Sequence, residues 1–420
     1  MHVTDLLAST IALWNDCEPV PPRAGRTYTT EEQEFREAEL TRLIVAIQAE
    51  LKRMPVTRVD RDLARERITA AFVRFGRSAL EFDDRHLDLL LGGGFSGIAT
   101  ALARRARRFD PAVSMADILQ ASRNAWTACG LQALFGARME LTPSIFAYSM
   151  LYPYSDNYVD DPSIEPAAKL RFSERFGRRL RGESPRPESG IEDAIWRLIA
   201  LIGEQYPRET FPQVVESLLA IHHAQERSIL LLRTGEVDVV ELSFEKGGTS
   251  VLADVYLAVG SPSDAAVSFA FVWGVLLQLG DDLQDVADDL ASGRRTVFSE
   301  AAEREPLDHV TSRTLRFGEV VLSRLETLGD PGTETLRELM RRSSRSLLVR
   351  AAGQASDLYT PEYLRDLERF SPFRFAFLQE CRRRLGRQTG SLARLFEAFL
   401  AGDEDEPAFP LLPASLMQHL

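Results

Sequence analysis

Lysine is almost missing from this chain. Of 50 basic residues, only Lys52, Lys169 and Lys246 are lysine and the rest are arginine. A bias of that size reflects genome composition more than function, so arginine clusters count for little as evidence of a site. Cysteine is scarce too. Cys17, Cys129 and Cys381 are odd in number, far apart and without metal-ligand spacing, which excludes a disulfide framework and predicts free thiols in a reducing cytosol. Positive charge is outweighed: the net charge of −12 excludes a nucleic-acid binder. The N-terminus has no basic start and carries Asp5 and Asp16, so it does not read as a secretory signal. No apolar run matches a membrane span. The longest, Ala265–Gly280, contains Gln278 and runs into aspartates, so it reads as a buried core helix and no integral membrane segment is expected. These features together predict a cytoplasmic protein. Alternating strand patterns and internal repeats are also lacking. What remains is helical periodicity, and the fold class expected is all-α.

The prolines at 19, 21 and 22 suggest that residues 1–30 form an irregular arm. Amphipathic helices then fill 31–112, and a helical core is expected over 113–400. The stretch 401–420, rich in acids and proline, reads as a tail. Gly92-Gly93-Gly94 lacks the flanking strand of a phosphate-cradling loop and reads as an interhelical turn. His222 and His223 have no partner at metal spacing and read as histidines packed in a helix bundle. Arg227 beside them sits in an apolar context, where an unpaired charge would be costly. Gly247-Gly248 falls inside a helical pattern, which costs roughly 1–2 kcal/mol against alanine. The pair marks either a helix break freeing backbone groups towards an anion, beside Lys246 and Thr249, or a plain loop between two helices.

The chemistry concentrates in two acidic stretches. In GVLLQLGDDLQDVADDLASGRRT, Asp281, Asp285 and Asp289 fall at i, i+4 and i+8, one face of a helix expected to run on to Gly293. Like charges so spaced are unfavourable by roughly 0.2–0.5 kcal/mol per pair, and they sit at the wrong end of the helix dipole. A hard divalent cation would compensate, since Mg²⁺ takes oxygen ligands and shares its shell with substrate phosphates. The second stretch, LTPSIFAYSMLYPYSDNYVDD, puts Asp156 and Asp160 at i, i+4, with Tyr148 and Tyr152 on the same face upstream and Pro153 as an expected kink. Each stretch is an acidic mouth in front of an apolar, aromatic wall. Such a pair suits ionisation of an allylic diphosphate, where metals and cationic side chains take up the leaving charge and a dry pocket holds the carbocation.

On these residues the chain resembles the class I isoprenoid synthases, the all-α superfamily of trans-prenyltransferases and terpene cyclases. QLGDDLQDVADDLASGRRT is similar to the second aspartate-rich motif of prenyl synthases, and Asp281, Asp285 and Asp289 also occupy the three ligand positions of the cyclases' NSE-type triad. SDNYVDD resembles the first DDxxD motif, with Asn157 in place of the middle acid. The resemblance implies one large helical bundle around a central apolar cavity. Its metal ligands would be Asp156, Asp160, Asp281, Asp285 and Asp289, binding three Mg²⁺ ions or Mn²⁺ in their place. Asp156, Asp160, Asp281, Asp285 and Arg227 would be catalytic. A prenyl diphosphate would be held by Arg178, Arg179, Lys246, Gly247, Gly248, Thr249, Gln278, Arg294 and Arg295, with Tyr148, Tyr152 and Trp273 along the hydrocarbon.

Departures narrow the class. TSVLADVYLAVG resembles the KT segment of prenyl synthases, but aligning Thr249 puts Gly248, not Lys246, at the lysine position. The early GGKRxRP motif of chain elongases is absent, and Arg178-Arg179 follow Asp161 at a longer distance than in elongases. The expected activity is therefore Mg²⁺-dependent ionisation of one prenyl diphosphate, then cyclisation or elimination, in the manner of bacterial large-terpene synthases. The alternatives are a two-substrate prenyltransferase, elongating or head-to-head, and a catalytically silent regulatory homologue. No nucleic-acid partner is expected; a homodimer stays open.

Overall fold

The computed structural model describes residues 2–20, 25–161, 163–228, 237–330, 332–386, 389–402 and 406–407, without the side chains of residues 160, 385, 386 and 389. The described residues contain helices and no strand, as the sequence predicts. The chain begins with α1 (Val3–Asp16), α2 (Thr30–Arg53), α3 (Arg58–Ala79), α4 (Asp84–Leu91), α5 (Phe95–Phe109) and α6 (Met115–Leu134). It continues with α7 (Pro143–Asp160), α8 (Pro166–Leu180), α9 (Gly190–Gln205), α10 (Pro212–Ser228), α11 (Val239–Val259) and α12 (Asp264–Gln284). Then come α13 (Val286–Ser292), α14 (Val297–Ala302), α15 (Asp308–Ser323), α16 (Glu334–Gln354), α17 (Pro361–Glu368), α18 (Phe375–Gly386) and α19 (Thr389–Leu400).

The chain divides into two compact units. Unit 1 comprises residues 1–20 and 124–333; unit 2 comprises 21–123 and 334–420. The expected boundaries near 30, 112 and 400 do not follow this division. The physical reason is long-range pairing. In unit 2, Gln33 donates to the carbonyls of Glu368 and Ser371 (3.0 Å each), and Arg374 clamps Glu37 (2.6 Å), so the last helices fold onto α2. Of the expected tail, only residues 401, 402, 406 and 407 are described.

Unit 1 is built on the α11–α12 pair. α12 is buried along most of its length, from Ala266 to Leu283, so the apolar run is a core helix as expected. Gly247 and Gly248 neither break α11 nor form a loop; the helix runs straight through them. They are contact glycines. A Cβ on Gly248 would stand 2.5 Å from the Phe271 ring, and one on Gly247 would stand 2.8 Å from the Gly274 carbonyl. The missing side chains let two backbones approach. The N-terminal segment is also no irregular arm. It holds α1, whose Leu6, Leu7 and Trp14 are buried. Trp14 meets Phe244 and Phe317 edge-on, at 5.7 and 5.6 Å between ring centroids, and such pairs add about 0.5–1.5 kcal/mol each beyond burial. The prolines begin only at Pro19, after this helix has ended.

Candidate functional site

α7 starts where the sequence predicts. Thr142 caps it by accepting from the Ile145 amide (3.3 Å), and Pro143 fills the first turn. One face of α7 lines a cavity of about 70 Å³, together with α8 and α10. α7 gives Tyr148, Tyr152 and Asp156; α8 gives Lys169, Phe172 and Phe176; α10 gives Ile221, His222, Gln225 and Glu226. The α8 positions 169, 172, 173, 176 and 180 and the α10 positions 218, 221, 222 and 225 each follow the helical period of one face. Lys169, Gln225 and Glu226 were not foreseen as cavity residues, although that period was available to find them.

The tyrosines are fixed by α11. Tyr148 donates to the Ser250 carbonyl (3.2 Å), and the Tyr152 hydroxyl pairs with the Ser250 hydroxyl (3.1 Å). The two rings meet edge-on at 6.4 Å. Tyr152 is raised well above the ordinary phenol range, first by burial and then by the negative charges of Asp156, Asp254 and Asp281. Asp156 belongs to the first acidic stretch and Asp281 to the second, so both act on one aromatic residue at the cavity. The Asp160 side chain lies outside the described residues.

The second acidic stretch is not one helix. α12 ends at Gln284, Asp285 takes φ −98° and ψ 4°, and α13 restarts to stop at Gly293 with φ 71°. The break is local, since the Asp285 amide still donates to the Asp281 carbonyl and the Asp289 amide to the Asp285 carbonyl (2.9 Å each). Asp281 and Asp285 are exposed, whereas Asp289 is buried beside Arg294 (3.9 Å). Burial lifts Asp289 to about 6, opposed by Arg294. Asp282 falls off the face shared by Asp281 and Asp285 by the helical period. It is buried, accepts from Gln278 Nε2 (2.7 Å) on one oxygen, and leaves Oδ2 without a hydrogen-bond partner. Burial lifts it to about 7; Asp289 and Asp281 push the same way, and Lys246 opposes them. Among the described residues, no group of three or more His, Cys, Asp or Glu side chains converges to hold a metal ion.

A further buried acid lies behind the tyrosines. Asp254 on α11 takes both oxygens to Asn124 Nδ2 (3.0 and 3.1 Å), and Asn124 Oδ1 accepts from Ser149 (2.9 Å). Burial holds this carboxyl well above the usual range.

Several expected substrate residues stand elsewhere. Arg227 is a third exposed, not buried, and is paired with Glu241 (2.6 Å) and Glu245. Arg178 pairs with Glu183 (2.7 Å), and Arg179 reaches the Glu183 and Trp196 carbonyls; neither lines the cavity. Thr249 is fully buried and donates to its own helix at Glu245 (2.6 Å), as β-hydroxyl residues do mid-helix. Gly247 and Gly248 are taken up by the helix contact, and Arg295 by Glu300 (2.8 Å). Trp273 is buried and stacked on Phe269 at 5.9 Å, with its indole N–H lacking a hydrogen-bond partner. Lys246 is half-buried within electrostatic reach of Asp282. No protein-family model, no curated protein and no solved structure matches this chain.

Proposed function

We propose that unit 1 is a class I isoprenoid synthase-like enzyme that ionises a prenyl diphosphate, releases pyrophosphate, and cyclises or deprotonates the carbocation. The observation that carries this reading is the aromatic, apolar cavity of α7, α8 and α10 with Asp156 in its lining; the charge of Asp281 on the second acidic stretch also acts on Tyr152 there. A cation is the natural partner for carboxylates so placed. Magnesium is usually bound by one or two carboxylates plus substrate phosphates, so a site needs no finished cage before substrate arrives. The Asp282 oxygen that lacks a hydrogen-bond partner, beside the exposed Asp281 and Asp285, fits such a hard cation. Asp156, Asp160, Asp281, Asp285 and Asp289 would hold it. Bound there, it would neutralise charge building on the leaving diphosphate.

The rest falls to side chains of the chain itself. Lys246 and Arg294 lie beside the acidic helices and supply positive charge for the diphosphate. Tyr148, Tyr152, Phe172 and Phe176 line the hydrocarbon path. Aromatic faces attract a desolvated cation by up to ~2 kcal/mol without reacting with it. Tyr148 and Tyr152 have their hydroxyls committed to Ser250, which keeps them from quenching the cation.

The test is magnesium-dependent pyrophosphate release from a single prenyl diphosphate, with and without isopentenyl diphosphate. Release from one substrate is expected, and Asp281→Ala or Asp285→Ala should lower it by about 10²-fold or more, as loss of a charge-stabilising group does. A strict need for isopentenyl diphosphate would move the reading to a prenyltransferase. Undiminished release by both variants would remove the acidic helix from the site.

A further inference from the structure

His222 does more than fill space between helices. Its side chain is only 11% exposed, yet it lines the cavity. The ring meets Phe176 edge-on at 4.9 Å between centroids. Room for it comes from α8, where a Cβ on Gly177 would stand 3.0 Å from His222 Nε2. Nε2 lies 3.7 Å from Glu226 Oε1, and that oxygen accepts from the Ser173 hydroxyl (2.6 Å). The result is an imidazole on an apolar wall, with a carboxylate held beside it by a third side chain. Burial pulls the imidazole below its ordinary value, while Glu226 and the Ser173 main chain pull it up and Arg181 and His223 push it down. The neutral form is therefore the resting one at pH 7.

Other titratable groups along the cavity suit proton removal less well. Tyr148 and Tyr152 are held in their protonated form, chiefly by burial. Lys169 is a cation. Asp156 stands at the acidic mouth assigned to metal. Glu226 is 42% exposed and already bonded to Ser173. Among the described bases along the cavity, His222 is a neutral one seated against the apolar wall and less open to water than Glu226.

We propose that His222 is the catalytic base that ends the reaction by taking a proton from the carbocation, with Glu226 and Ser173 as positioning residues. This rests on the reading of unit 1 as a prenyl diphosphate-ionising enzyme. The step balances without another reactant. A C–H bond next to the cationic carbon breaks, and its electron pair becomes the second bond of an alkene. The proton bonds to the imidazole lone pair, and the imidazolium formed faces the Glu226 carboxylate. The product class that follows is a hydrocarbon rather than an alcohol.

The experiment uses the full chain and its His222→Phe, His222→Gln and Gly177→Ala variants, each given geranyl, farnesyl or geranylgeranyl diphosphate with magnesium. Pyrophosphate release and extracted products are measured together. Wild type should yield an alkene. In the products that both His222 variants still form, the alkene-to-alcohol ratio should fall by about 10²-fold, the usual worth of a general base. Gly177→Ala should shift the ratio the same way with His222 still present, which covers the case of a His222 variant that does not fold. In addition, NMR titration of the metal-free protein should find His222 neutral at pH 7. Unchanged products with normal release in both His222 variants would overturn the base assignment alone. So would an alcohol as sole wild-type product, or a protonated His222 at pH 7. Absence of pyrophosphate release by wild type would instead bring down the underlying reading, and this proposal with it.

Discussion

Asp282 shows how one residue's position on a helix decides its chemistry. Its neighbours Asp281 and Asp285 are exposed, while Asp282 is buried with one oxygen on Gln278 and the other unpartnered. The i, i+4 spacing in the sequence separates Asp282 from Asp281 and Asp285, but spacing alone does not say which face is dry. That depends on where α11 lies, and nothing local in the DDLQD stretch encodes it. The burial has a measurable consequence. A carboxyl lifted from 3.8 to about 7 binds its proton more tightly in the folded state. Its stabilising share is thus complete below pH ~4 and lost as pH rises through the folded value, a swing on the order of 4 kcal/mol without a bound cation. Asp282→Asn keeps the shape and removes the charge. In calorimetry of the metal-free protein it should raise the melting temperature at pH 8 and leave it nearly unchanged at pH 4.5. An equal loss at both pH values would mean that the carboxylate is compensated in a way its burial does not suggest. Asp254 follows the same sign, for the same cause.

At the scale of elements, periodicity made the helices legible, but the reason for the glycine pair was not. Gly247-Gly248 reads as a break because glycine is a poor helix former, and no sequence window shows the partner that explains it. The partner is α12, where Gly274 and Phe271 pack against the bare backbone of α11. Two opposed effects give a test. In a loop or an exposed helix, Gly248→Ala would stabilise by up to ~1 kcal/mol through propensity. Against Phe271 the added methyl overpacks the core, which typically costs 1–3 kcal/mol. Urea unfolding should therefore show Gly248→Ala to be less stable by roughly 1–2 kcal/mol, the overpacking cost less the propensity gain. A more stable variant would return the pair to a loop. The interruption at Asp285 belongs to the same scale: the acidic spacing was readable, whereas the end of one helix and the start of another at Asp285 were not.

At the scale of the molecule, the two-unit division was the least legible feature, because it joins segments from opposite ends of the chain. Arg178, Arg179 and Arg227, expected at the diphosphate or the reacting centre, are all taken up by nearby acids or carbonyls. Discounting the other arginine clusters hid a structural use of arginine in unit 2. Glu406, with a fully buried side chain, is gripped by Arg61 through Nε (2.9 Å) and Nη2 (2.5 Å), and by Arg65 at 3.4 Å. Arg104 holds the Glu406 main-chain oxygen at 3.2 Å. Breaking a buried ion pair from one side costs about 3–5 kcal/mol where the remaining charge has no other partner, whereas replacing all partners by apolar side chains can be neutral. Arg65 keeps Asp62 (2.5 Å) and Arg61 keeps the Val56 carbonyl (2.9 Å), so Glu406→Ala should lower the thermal stability of unit 2 by less than that amount. Because Arg61 and Arg65 lie in unit 2 and not in unit 1, hydrogen exchange should quicken in α3 and α5 while α11 and α12 keep their protection. The triple change Glu406→Leu, Arg61→Met and Arg65→Met should recover most of the loss. Equal loss of protection in both units would show that they unfold as one, and a neutral Glu406→Ala would show that Arg61 and Arg65 are satisfied without it.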